Sequence, residues 1–155
     1  MNFPRTSRFL ICAAMLLVGA SVGHAQISVQ GGNQVLTIST ALPGSEPIAV
    51  TNTSAQIRYS RQTYITKVTV YTTCPGQHFN LTVVAVSPGD GVAAPTVTLQ
   101  DGLPAADFIT DIPAKPPGGN KTATLQYTAS STFAQGNSAE LGDDVHTVTY
   151  TLTAQ

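Results

Sequence analysis

Beyond residue 25 the chain keeps one cysteine, Cys74, and two histidines, His78 and His146. The stretch "CPGQ", Cys74 to Gln77, places a thiol three positions before a carboxamide. The spacing resembles a known internal-thioester motif, in which the two side chains condense with loss of ammonia, although the two residues between differ from that motif. The competing reading is a turn built by Pro75-Gly76, with the thiol packed at a strand end. A free cysteine behaves as a small hydrophobe, so the expectation is a buried or semi-buried thiol, not joined to Gln77. Cys74, His78 and His146 together have the composition of a soft metal site. Asp143-Asp144 with Glu140, and Asp107 with Asp111, offer hard oxygen ligands. No D-x-D-x-D-G loop organises these acids, and the expectation is no metal and no cofactor.

Nucleophilic catalysis would need a base beside a nucleophile and an acid to orient it. His146 shares parity with Val148, Tyr150 and Leu152 and so points to the apolar face at the mouth of a strand. That fits a half-buried histidine bonded to its neighbours. No G-x-S-x-G sequence is present. No catalytic residue is therefore assigned, and the chain is expected not to be an enzyme.

The elements that must position these residues read as strands. "TVTYTLT", 147 to 153, alternates Val148, Tyr150 and Leu152 with threonines, a period of two that predicts a strand with a core face and a threonine face. "TYITKVTVYTT", 63 to 73, puts Thr66, Val68 and Val70 on one face. "FNLTVVAVS", 79 to 87, is the most apolar run and is expected as a central strand. "TATLQYTAS" sets Ala123, Leu125, Tyr127 and Ala129 on one face. "ISVQ", "QVLTIST", "PIAVTN", "AQIRYS" and "PTVTLQ" complete the set, and "DFITDI" is expected as a short edge strand. Turns fall at "LPGSEP", "CPGQ", "PGDG" and Asp101-Gly102. No helical pattern exceeds two turns. Short strands between Gly/Pro/Asn/Asp clusters predict an all-β protein, an immunoglobulin-like β-sandwich of roughly seven to nine antiparallel strands.

Composition agrees and excludes several function classes. Charged residues are 10% of the chain, and threonine-rich, lysine-poor usage favours strands. Residues 1–25 have the three-part pattern of a secretory signal peptide: Arg5 and Arg8, the apolar run Phe9 to Val22, and "GHA". The expectation is a bacterial exported protein starting at Gln26, with one domain over 26–155, located in the periplasm, at the cell surface or outside the cell. The run is shorter than the ~20 residues of a spanning helix, so no membrane span is expected after cleavage. Five basic residues then face eight acids, a net charge of about −3, too little positive charge for nucleic acid. With Cys74 alone, an internal disulfide is impossible. Arg58, Arg61 and Lys67 cluster early and most acids lie from Asp101 to Asp144, so a molecule with one basic and one acidic side could stack head to tail.

The ending "ELGDDVHTVTYTLTAQ", in which a glycine-containing turn leads into a terminal strand, resembles spore coat protein U-type domains and related fimbrial, pilin-like domains. The likeness is clearest over about the last 35 residues, from Thr122 on. It implies an incomplete immunoglobulin-like sandwich whose sheet is completed by the N-terminal segment of the next subunit, here 27–40, so that the partner is another copy joined by strand addition. The expected function is a non-enzymatic structural or surface-assembly subunit. The alternative is a monomeric extracellular binding module for carbohydrate or protein. It is disfavoured by the absence of tryptophan and by the placement of Tyr59, Tyr127 and Tyr150 among apolar neighbours.

Overall fold

The computed structural model describes residues 26–116, 119–136 and 138–155. The expected signal peptide and its cleavage site lie outside the described residues. Nine strands are present: β1 (Ile27–Gln30), β2 (Val50–Ser60), β3 (Thr66–Thr73), β4 (Asn80–Val86), β5 (Val92–Ala93), β6 (Val97–Leu99), β7 (Ala106–Ile112), β8 (Asn120–Ser130) and β9 (Thr147–Ala154). They form two antiparallel sheets, ordered β1-β2-β8-β4-β6 and β5-β7-β3-β9. The fold is an all-β sandwich, as the alternating runs predict.

Alternation decides which side chains meet between the sheets, except at Phe108 and Ile109, which are both buried where the β3–β7 register shifts between Val68 and Thr69. Ile57, Tyr59, Val83 and Leu125 of the five-stranded sheet face Val68, Val70, Phe108 and Ile109 of the other, and all are buried. The ring of Phe108 lies 5.3 Å from that of Tyr150, tilted by 54°, a geometry that favours contact between aromatic edges and faces. The hydroxyls of Tyr127 and Tyr150 meet across the sheets at 2.8 Å. Each phenol thereby keeps a hydrogen-bond partner inside an apolar layer.

Three sequence expectations change. "PIAVTN" and "AQIRYS" are one strand, β2, bent by a register shift between Asn52 and Ala55. There the Asn52 carboxamide accepts the Ser54 N–H at 2.8 Å and closes a local turn inside the ladder. "DFITDI" is not an edge strand: β7 runs between β5 and β3 and buries Phe108, Ile109 and Ile112. "QVLTIST" is extended but pairs with no strand. Val148 and Leu152 pack against the core on the predicted face but are only half-buried, unlike Tyr150 between them, because β9 is the last strand of its sheet. Two single helical turns, Phe133–Gln135 and Ser138–Leu141, lie in the loop before β9. No helix among the described residues is long and apolar enough to cross a membrane.

Candidate functional site

The residues singled out for chemistry gather at one end of the sandwich, where β3 ends, β4 and β9 begin, and β6 ends. Thr73 pairs with Thr147 there, and Leu81 with Leu99. Cys74 opens a tight turn in which Gln77 N–H donates to the Cys74 carbonyl at 3.1 Å. Gly76 takes φ +74°, so Pro75-Gly76 fills the two central positions of a type II turn, the second of which needs a residue free to adopt positive φ. The turn drives the thiol inward: Cys74 is 1% exposed, and its N–H donates to Asp101 Oδ1 at 2.8 Å.

Gln77 is committed to main-chain bonds. Its Nε2 donates to the carbonyls of Phe79 (2.8 Å) and Leu99 (3.1 Å), and its Oε1 accepts the Asp101 N–H at 2.9 Å. The carboxamide ties the 74–77 turn to the end of β6, a structural use that opposes thioester closure.

Asp144, in the loop before β9, is the hub of the cluster. Its carboxylate accepts the N–H groups of His78 (3.0 Å) and Phe79 (2.7 Å), and its Oδ1 lies 3.4 Å from His78 Nδ1. Two residues on, His146 is half-buried, with Nδ1 3.1 Å from the Thr72 hydroxyl. The donor atoms of Cys74, Asp144 and His146 all lie within 4.8 Å of one another. The cluster is thus assembled from the β3–β4 turn and the β9 approach. His78 joins it through Asp144. The other predicted acids do not: Asp107 pairs with Lys67 at 2.7 Å, Asp111 exchanges hydrogen bonds with the side chain of Gln155, and Glu140 and Asp143 are exposed.

The electrostatics are those of a closed thiol. Burial pushes the Cys74 thiol up, and the charges of Asp144 and Asp101 push it further. A reactive cysteine needs the opposite, a positive neighbourhood that favours thiolate. Burial pushes His146 down, partly countered by the same two carboxylates, so its imidazole is neutral near pH 7. Asp101 and the anchoring role of Asp144 were missed in the sequence. The only signals were a turn at Asp101-Gly102 and a loop acid, and neither shows a partner distant in the chain.

Two further surfaces bear on function. An open, largely apolar groove of about 350 Å³ lies beside this end, lined by Val70, Thr72, Leu99, Leu103, Pro104 and Ala106. β1 and β9 approach each other at the edges of the two sheets, and residues 33–40, which follow β1, belong to no strand. Gln34, Leu36 and Ile38 are half-buried in alternation with exposed Val35 and Thr37, and Leu36 packs on the core. Among the described residues no backbone hydrogen bond is formed by residues 33–39. Among the described residues β3 is the only ladder partner of β9, which leaves β9 at the edge of its sheet.

No family model, no curated protein and no solved structure matches the chain.

Proposed function

We propose that the protein is an exported, non-enzymatic structural or surface-assembly subunit with an immunoglobulin-like sandwich of the spore coat U or pilin-like kind, joined to its neighbours by strand addition. The observation that carries this reading is segment 33–40. It has the alternation of a strand and a core-packed leucine, yet, among the described residues, 33–39 make no backbone–backbone hydrogen bond, while β9 is the last strand of its sheet. An exposed strand edge is a template for another extended chain, and an extended segment with unpaired N–H and C=O groups gains a full ladder by adding to one. β1 pairs with its own β2, so the exchanged piece is 33–40 rather than all of 27–40. Exposed Val29, Val35, Leu42 and Ile48 all lie in this N-terminal region, apolar surface of the kind that marks contact sites.

The alternative, a monomeric binding module, has the apolar groove of Val70, Leu99, Leu103 and Pro104 in its favour, since small-molecule sites are concave and mostly apolar. Light scattering on the protein as it elutes from a sizing column separates the two. Assembly predicts concentration-dependent oligomers for the wild type and their loss in Leu36→Asp, which blocks insertion of 33–40 against a core. A monomer at all concentrations in both proteins ends the assembly reading and leaves the groove as the site to probe.

A further inference from the structure

We propose that Cys74, Asp144 and His146 form a zinc-binding clasp that ties the start of β9 to the end of β3. Three donor types converge from two separate segments, with Sγ, a carboxylate oxygen and an imidazole nitrogen all within 4.8 Å. Tetrahedral zinc with bonds of about 2.0–2.3 Å holds its ligands roughly 3.3–3.8 Å apart, so a contraction of about 1 Å closes the site. The donor set is the mixed thiolate, imidazole and carboxylate that zinc accepts; calcium and magnesium prefer all-oxygen cages.

Each donor is already held by an outer partner. The Asp144 carboxylate is fixed by the His78 and Phe79 N–H groups. The Cys74 main chain is fixed by Asp101. His146 Nδ1 is in hydrogen-bond reach of the Thr72 hydroxyl. With Nδ1–H donating there, Nε2 is left with its lone pair for the metal, the arrangement in which a second partner sets the histidine tautomer.

Charge points the same way. Asp101 and Asp144 both act electrostatically on Cys74 and His146. The lysine and arginine ion pairs lie at the opposite end of the sandwich, on Asp90, or along β3 on Asp107. A dication relieves the crowding of carboxylates around a buried thiol. On binding, the S–H bond breaks, the sulfur keeps the electron pair as a zinc ligand and the proton leaves to solvent. Zn²⁺, one thiolate, one carboxylate and a neutral imidazole sum to zero net charge. The fourth position is left for water or for a group of a neighbouring subunit.

Cobalt(II) is the spectroscopic probe and zinc the competitor. Metal-stripped protein titrated with cobalt should take up one ion per chain, with a thiolate-to-cobalt charge-transfer band and the intense visible bands of four-coordinate cobalt. Cobalt uptake should release about one proton per ion, and zinc should then displace the cobalt with no further proton release. Cys74→Ser should abolish the charge-transfer band. His146→Gln, at a half-exposed position that leaves the core intact, should weaken zinc affinity by more than about a hundredfold, since outer-shell changes alone cost about 10–100-fold. Zinc should raise the melting temperature of the wild type and leave that of His146→Gln unchanged. Absence of the charge-transfer band in the wild type, or zinc binding of equal strength in wild type and His146→Gln, overturns the proposal.

Discussion

At the residue scale, the two phenols that meet between the sheets show how a polar pair is retained in a small core. Tyr127 and Tyr150 are each other's hydrogen-bond partner at 2.8 Å and are almost fully buried. Tyr150→Phe leaves the Tyr127 hydroxyl buried without its partner, which costs about 1–3 kcal/mol. The double Phe variant removes both polar groups and should recover most of that loss; urea denaturation of the two variants measures the difference. The same burial pushes the Tyr59, Tyr127 and Tyr150 phenols up. A group whose pKa is raised by folding contributes stability that is complete below its unfolded value, near 10 for tyrosine, and is lost as pH rises above it. Stability should therefore fall as pH climbs through about 10, with a shallower fall in Tyr150→Phe. An equal slope in the two proteins would show that Tyr150 does not carry the effect.

At the element scale, the connection from β4 into β5 depends on one glycine. Gly91 has φ +85°, and a Cβ there would stand 2.6 Å from the Thr110 carbonyl oxygen and 2.9 Å from side-chain atoms of Ile109 and Ile112. Both the dihedral and the space exclude a side chain, so β5 lies close on β7 only because residue 91 has none. Gly91→Ala combines backbone strain with a clash against β7 backbone and core. It should cost about 2 kcal/mol or more, read as a lower denaturant midpoint. Gly102 has a similar φ of +77° but open space around its Cβ position, so Gly102→Ala carries strain alone and should cost less. The comparison separates clash from strain. Asp143-Asp144 shows the same dependence on placement: adjacent acids in one loop, one exposed and one bonded to two main-chain N–H groups.

At the scale of the whole molecule, charge is divided between the two ends of the sandwich. Glu46, Asp101, Glu140, Asp143 and Asp144 belong to the turns and loops at the end where Thr73 pairs with Thr147 and Asn80 with Ser130. Arg58, Arg61, Lys67, Lys115 and Lys121 lie toward the other end, where Ile27 pairs with Tyr59 and Thr66 with Ala154, and outnumber the acids there, Asp90, Asp107 and Asp111. There Arg61 and Lys121 approach Asp90 at 3.7 and 3.8 Å. The sequence clustering thus becomes an axial polarity, which suits end-to-end stacking of copies. Oligomers formed this way should shrink as salt rises from about 0.05 to 0.5 M, because the screening length drops below about 10 Å. Light scattering across that series checks it, and oligomers insensitive to salt would leave strand addition as the whole of the contact.

The sequence alone determined the sheet class and most strand faces, because a period of two is local: Val68 and Val70, Leu125 and Tyr127, and Tyr150 face inward as their alternation requires. It also determined the Pro75-Gly76 turn and the burial of Cys74, since turn chemistry acts over four residues. Only the tertiary structure decided neighbours. That β7 is interior, that β9 is an edge and that 33–39 joins no strand among the described residues depend on sheet order, which no local pattern encodes. The meeting of Cys74 with Asp144 and His146 arises because β9 returns antiparallel beside β3, with Thr73 opposite Thr147. That register brings together side chains some seventy positions apart, a closure set by packing of the whole core and not by any one segment.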